Sequence, residues 1–152
     1  MAELKVSKVK RGTVIDHIRA GMAPAVLRIL GIDRGFSDVV VVAMNVKSSQ
    51  LGSKDIVKVE NQILDEETLK KISIIAPQAT INIVKEFEIV EKRGVSLPKE
   101  LRGILKCPNR NCITNAAEKV ESFFVCKQEN PIEFRCHYCE ELVEAERAEL
   151  IL

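Results

Sequence analysis

The 152-residue chain contains no tryptophan, one tyrosine and five phenylalanines. With so few rings it offers no series of aromatic platforms on which the bases of a single strand could stack. Histidine occurs twice, at His17 and His137. No H-E-x-x-H helix, phosphate-cradling glycine loop or paired nucleophile and base can be assembled from the sequence, and its seven glycines are scattered. These absences point away from an enzyme and toward a binding or regulatory chain. No apolar run approaches the length of a membrane span. The segment MAELKVSKVKRG is charged, without the apolar stretch of a secretory leader. The expectation is a cytoplasmic protein that contacts no membrane. An excess of one charge sign is missing too: 23 basic residues against 22 acidic leave +1, which gives no global field for nucleic acid or a lipid surface.

What the chain does have is five cysteines, four of them in an organised pattern. CPNRNC holds Cys107 and Cys112, and CHYC holds Cys136 and Cys139, with 23 residues between the two pairs. Each pair can place two sulfurs on one side of a tight turn. Two such turns facing each other make a tetrahedral cage for one zinc ion. Two disulfides are the competing reading, but disulfides belong to oxidising compartments. A four-thiolate site has no open position for water or substrate, so its zinc is structural. In a short segment the metal supplies much of the folding energy, about 10–16 kcal/mol in small zinc peptides. His137 reads as a surface residue of its turn. Cys126, which follows Phe123, Phe124 and Val125, reads as a reduced strand residue.

Residues 1–96 carry 15 basic and 12 acidic side chains, and residues 97–152 carry 8 and 10. The cysteine-bearing part is therefore mildly acidic. This weighs against the alternative of a stand-alone zinc ribbon that binds nucleic acid or a transcription partner, because such modules present a basic face.

The region before the cysteines alternates in period. Leu4 to Arg11 reads as a strand broken at Gly12, and Thr13 to Ile18 as its continuation. Met22 to Leu30 has helical spacing closed by Gly31. VVVVAMNV, Val39 to Val46, reads as a central strand buried on both faces. Asp55 to Asn61 alternates, with Val57 and Val59 on one face and Ile56, Lys58 and Glu60 on the other. Asp65 is placed to cap a helix carrying Leu69, Ile72 and Ile75 and ended by Pro77. Ala79 to Val84 and Phe87 to Lys92 are two further strands. The fold class expected is α+β. Residues 1–96 form a split-βαβ, ferredoxin-like antiparallel sheet with two helices, and residues 97–152 form a small all-β zinc-binding domain, with Leu97-Pro98 as the hinge.

Polar residues interrupt these apolar strands at Asp16, His17, Lys58, Asn82 and Lys92. Each alone is compatible with the solvent face of a half-exposed sheet. Together they suggest an anion site with a carboxylate beside it: lysines suit phosphates as mobile point charges, and a carboxylate suits ribose hydroxyls.

Taken in order, KRGTVIDHI, KDIVKVEN, APQATIN, SLP and CPNRNC with its C-x2-C partner resemble the regulatory chain of aspartate carbamoyltransferase. The resemblance runs from about Leu4 to Glu140. It implies a chain that catalyses nothing, binds nucleotide effectors in its N-terminal domain and holds catalytic trimers together through its zinc domain. It also implies a regulatory-chain homodimer, with three such dimers joining two catalytic trimers in pyrimidine biosynthesis. CTP, in some members with UTP, would inhibit, and ATP would activate. By position, the strand around Val9 offers backbone groups to the base, with Val14 nearby. Asp16 corresponds to the ribose carboxylate, and Lys58 lies near ribose and phosphates. His17, Asn82 and Lys92 fall on the phosphate side, and Val84, Phe87 and Ile89 line the base and ribose pocket. Lys54 is near enough in sequence to assist. Cys107, Cys112, Cys136 and Cys139 match the zinc ligands. Asn109, Asn111 and Glu140 fall in loops that touch the catalytic chain. Three departures bear on these roles: Phe87 stands where a tyrosine is familiar, Ser7 and Lys8 replace a Glu-Ala pair, and His137 replaces a lysine.

Overall fold

A computed structural model describes residues 10–116, 118 and 120–152. The chain divides into two compact units between Val95 and Ser96. The strand expected from Leu4 lies outside the described residues, apart from Lys10 and Arg11, which form a bend leading into the first strand.

The first unit runs β1 (Gly12–Arg19), α1 (Ala23–Ile29), β2 (Val40–Ser48), β3 (Gly52–Glu60), α2 (Glu66–Ile75), β4 (Thr80–Lys85) and β5 (Glu88–Gly94). The strands form one sheet in the order β2-β3-β1-β4-β5, and every pairing is antiparallel. This is the split-βαβ arrangement with one strand added at the β4 edge. Gly12 opens β1. It has φ +151, and a Cβ there would meet the Val59 carbonyl oxygen at 2.2 Å, so only glycine allows β1 and β3 to approach here.

The period of two in β1 and β3 decides which face is covered. Thr13 and Ile15 pair with Val59 and Val57, and all four are buried. The helices bury Val26, Leu69, Ile72, Ile74 and Ile75, and α1 packs on both α2 and β3. Asp65 caps α2, its carboxylate accepting the Thr68 amide hydrogen at 2.8 Å, with Glu66 and Glu67 in the first turn where the helix dipole favours negative charge.

One expectation fails. Among the described strands VVVVAMNV is not central: β2 is the outermost of them on its side of the sheet. Val42 and Met44 remain 38% and 43% exposed, and Val39 and Val46 are exposed too. An unbroken apolar run signals burial on both faces but does not identify what covers them.

The second unit is all-β. Strands β6 (Glu100–Arg102), β8 (Phe123–Glu129), β9 (Ile132–Cys136) and β10 (Leu142–Glu144) form a sheet in the order β10-β9-β8-β6, and β7 (Leu105–Lys106) pairs with β11 (Glu149–Leu150). Phe124, Phe134, Leu101, Ile104 and Leu105 are fully or almost fully buried and make a small core. Cys126 lies in β8 as a free thiol; it donates to the Gln128 carbonyl at 3.4 Å, and burial raises its pKa above the ordinary thiol value.

Candidate functional site

Two constellations emerge, one in each unit. The cysteine cage is built from two turns. Asn109 shapes the first: its carbonyl accepts the Cys112 amide hydrogen at 3.0 Å, and its side-chain oxygen accepts that of Asn111 at 3.0 Å. In the second turn the Glu140 amide donates to the Cys136 carbonyl at 3.0 Å, and Glu140 takes the left-handed conformation, φ +64, that ends it. Asn115 ties the first turn down, donating to the carbonyls of Cys107 and Asn109 at 2.9 and 2.8 Å.

The four Sγ atoms lie within 4.8 Å of one another. Cys107 and Cys139 are 3.5 Å apart and Cys112 and Cys136 are 3.7 Å apart. Zinc–sulfur bonds of about 2.3 Å in a tetrahedron place sulfurs about 3.8 Å apart, whereas a disulfide requires about 2.05 Å. The cluster therefore fits one four-coordinate zinc ion. Burial raises the thiol pKa values of Cys107 and Cys136. Burial pushes Cys112 the same way, but hydrogen bonds from Thr114, whose hydroxyl donates to Cys112 Sγ at 3.2 Å, and from Cys136 outweigh it and bring its pKa down to about 7. Thiolates crowded at this distance repel one another, and a divalent cation removes that cost. Bound there, zinc would cross-link the two turns and supply folding energy, and the site would be structural. His137 is exposed beside the cage, stacked on Phe123 with ring centroids 4.7 Å apart, while Arg102 lies over the Phe123 ring 3.9 Å from its centroid.

In the first unit the strand register determines what meets what. Residues directly opposite in an antiparallel pair point to the same face. Val14 is opposite Lys58 on β3 and Asn82 on β4, and Asn82 is opposite Lys92 on β5. Lys58, Val14, Asn82 and Lys92 thus form one row across four strands. Val84, opposite Gly12 on one side and Ile89 on the other, lies on the same face, as does Asp16, opposite Thr80. Their face is the one turned away from the helices.

Asp16 and His17 occupy a bulge: β1 and β3 shift register between Ile15 and Ile18. His17 has φ +56. A bulge re-aims side chains that a regular strand would send to alternate faces. Asp16 accepts the His17 amide hydrogen at 2.6 Å and pairs with Lys54 Nζ at 2.9 Å. His17 Nδ1 lies 3.0 Å from the Thr80 hydroxyl. Partial burial pushes the Asp16 pKa up, but Lys54 and His17 more than offset this and hold it below its ordinary value of 3.8. Asn82 is 6% exposed. Its Nδ2 donates to the Val14 carbonyl at 3.3 Å, which leaves Oδ1 buried without a partner among the described residues. Phe87, at φ +65 beside Glu86 at φ +51, occupies the two-residue turn between β4 and β5, as a tight hairpin requires. Phe87, Ile89 and Lys92 are exposed.

Of the residues named from sequence, Val9 lies outside the described residues. Val14, Asp16, Lys58, Asn82, Val84, Ile89 and Lys92 share a face, with His17 in the bulge beside Asp16 and Phe87 at the hairpin tip. Asn109, Asn111 and Glu140 sit in the cage turns. Asn109 spends its side chain on the turn itself, and Asn111 and Glu140 are exposed. Sequence reasoning missed Thr80 as the partner of His17, and Thr114 and Asn115 as supports of the cage. The only signal for the last two was their position directly after CPNRNC-Ile113.

Comparison with known proteins covers both units. Residues 4–96 match the aspartate carbamoyltransferase regulatory chain, allosteric domain, and residues 99–149 match the metal binding domain of the same chain. The aspartate carbamoyltransferase regulatory chain of Methanothermobacter thermautotrophicus is 56% identical over 147 residues, covering 97% of this chain and 94% of that one. That of Ignicoccus hospitalis is 51% identical over 146 residues, covering 95% and 93%. That of Saccharolobus islandicus is 50% identical over 138 residues, covering 91% and 87%. With both units matched and more than nine-tenths of its length aligned, this chain belongs to the family of aspartate carbamoyltransferase regulatory chains.

Proposed function

We propose that this chain binds nucleotide effectors on the open face of its N-terminal sheet and docks through its zinc unit on a catalytic chain of aspartate carbamoyltransferase, without catalysing a reaction itself. On this reading residues 1–96 are the allosteric domain and residues 97–152 the docking domain, with Leu97-Pro98 the hinge. The observation that carries it is the row of Lys58, Val14, Asn82 and Lys92 across four strands. Two ammonium groups about 14–15 Å apart at their Cα atoms, three strand spacings, flank a strip bounded by the Asp16 carboxylate. A nucleoside triphosphate has matching chemistry: phosphates for the lysines and ribose hydroxyls for the carboxylate. Val84, Ile89 and Phe87 supply apolar surface for the base. A buried amide oxygen without a donor, as at Asn82, also favours a face completed by a ligand.

CTP and UTP are the expected inhibitors and ATP the expected activator. An effector acts only by binding two quaternary states of the assembly unequally, so the coupling is a difference of affinities. The exposure of Asn111 and Glu140 on the cage turns supports a role for them in docking on the catalytic chain. The exposed apolar residues of β2 support pairing of two N-terminal units along that edge, as an open strand left apolar invites a further chain. Three such dimers bridging two catalytic trimers in the cytoplasm complete the assembly.

Calorimetric titration of the zinc-loaded chain with CTP and ATP tests this. Saturable binding of at least one nucleotide, with one zinc per chain, is expected. One zinc with no nucleotide bound, in the free chain or in its complex with catalytic trimers, would remove the effector role.

A further inference from the structure

Asp55 is a fully buried carboxylate of the first unit, and the proposed effector face does not use it. It lies on the covered side of β3 and accepts three backbone hydrogens. Gly21 and Ala23 donate to Oδ2, each at 2.9 Å, and Asn45 donates to Oδ1 at 3.0 Å. The first two belong to the turn after β1 and the start of α1. The third belongs to β2, where the register with β3 shifts between Ala43 and Val46 and Asn45 takes φ +60.

The neighbouring residue on β3, Lys54, points to the opposite face and pairs with Asp16 in the β1 bulge. Two bulges therefore flank β3 at one level. In β1, Asp16 and His17 together oppose Ile56. In β2, Met44 and Asn45 together oppose Asp55. Lys54 reaches the first bulge and Asp55 the second. A bulge is where a strand can shift its pairing without unravelling the ladder. Hydrogen bonds to a buried carboxylate are strong, and leaving their donors unpaired is costly, so the Asn45 amide follows Asp55.

We propose that Lys54 and Asp55 link the effector face to the edge strand β2, with Asp55 the positioning residue that holds the β2 bulge to β3. The proposal rests on the open face being the nucleotide site. An arriving triphosphate competes with Asp16 for the Lys54 ammonium and shifts β3 at that point. Asp55, one peptide further on, carries the shift to Asn45 and to the turn before α1. The signal thus reaches β2 through the middle of the sheet rather than around its ends.

The test is hydrogen exchange of backbone amides in the full zinc-loaded chain, with and without saturating CTP or ATP, and with binding checked by calorimetry on the same samples. In the native chain, nucleotide should change the exchange rate of the Asn45 amide by roughly threefold or more, a change in local opening well within the usual range. Lys54→Gln should still bind nucleotide at higher concentration but leave that amide unchanged on binding. Asp55→Asn should give fast exchange at Asn45 whether or not nucleotide is present. Unchanged Asn45 exchange in a native chain that binds nucleotide would overturn the link, as would an equal response in Lys54→Gln. Should Asp55→Asn fail to fold, the Lys54→Gln comparison decides alone. Failure of the native chain to bind any nucleotide would instead overturn the effector face, and the link with it.

Discussion

Lys92 occupies the exposed end of the row that crosses the sheet, opposite a buried asparagine, and its ammonium is free to swing toward a phosphate. A contact of this kind is charge-assisted and contributes about 1.5–3 kcal/mol. Lys92→Ala should therefore weaken CTP or ATP by roughly 10- to 100-fold while changing the affinity for the parent nucleoside by less than about threefold. Parallel titrations with triphosphate and nucleoside check this, and equal losses would place Lys92 away from the phosphates. At this scale the sequence was informative where chemistry is carried by residue type. Four cysteines in two spaced pairs announced a metal cage, because few other arrangements use thiols that way. A lysine or asparagine inside an apolar strand marked the face turned away from the helices. Partners were illegible: the Lys54–Asp16 pair and the contact of His17 with Thr80 depend on a bulge, and nothing in GTVIDHI marks the extra residue.

The edge strand β2 is where element-level reading went wrong, and the reason is physical. Four consecutive valines and a methionine at Met44 specify an environment dry on both sides. The described strands do not supply it, because among them β2 has a neighbour only in β3. The expectation of a strand buried on both faces fails in the single chain, where Val39, Val42, Met44 and Val46 are exposed. It is met if the missing cover is a second copy. Val42→Lys combined with Met44→Lys should then shift the chain from dimer to monomer at micromolar concentration, with the helical content of the native chain retained. An edge lysine resists strand pairing, and two put like charges opposite one another across a symmetric interface. Sedimentation velocity of the native and doubly substituted chains reads the outcome, and a double variant that stays dimeric would move the interface elsewhere. Elsewhere in the first unit, α2 and the inner face of β3 were legible from local signals. Asp65 caps α2 and Pro77 follows its end, and alternation at Val57 and Val59 fixes the inner face of β3.

The two units draw on different sources of stability, and this gives the whole molecule a testable asymmetry. The first has a sheet and two helices around a continuous apolar core that includes Ile15, Ile18, Val26, Val57, Ile72 and Ile81. The second has short strands and a core of a few large side chains, among them Phe124 and Phe134, and three of its buried residues are the cysteines Cys107, Cys112 and Cys136. A segment of this size rarely folds on its own apolar burial, and a structural metal is a common remedy. Zinc binds the folded cage and has no formed site in the unfolded chain, so its binding energy is folding energy for that unit. Chelation of the purified chain, or Cys112→Ala, should therefore unfold the second unit and abolish association with the catalytic chain. The first unit should remain folded and keep its nucleotide affinity within about twofold, because its core does not depend on the cage. Amide exchange resolved by segment, combined with nucleotide titration of the zinc-free chain, separates the possibilities. Loss of protection confined to residues after Ser96 supports two independently stabilised units. Equal loss before Val95 would mean that zinc holds the whole chain together, and the assembly would then lose effector binding and catalytic-chain docking in one step rather than two.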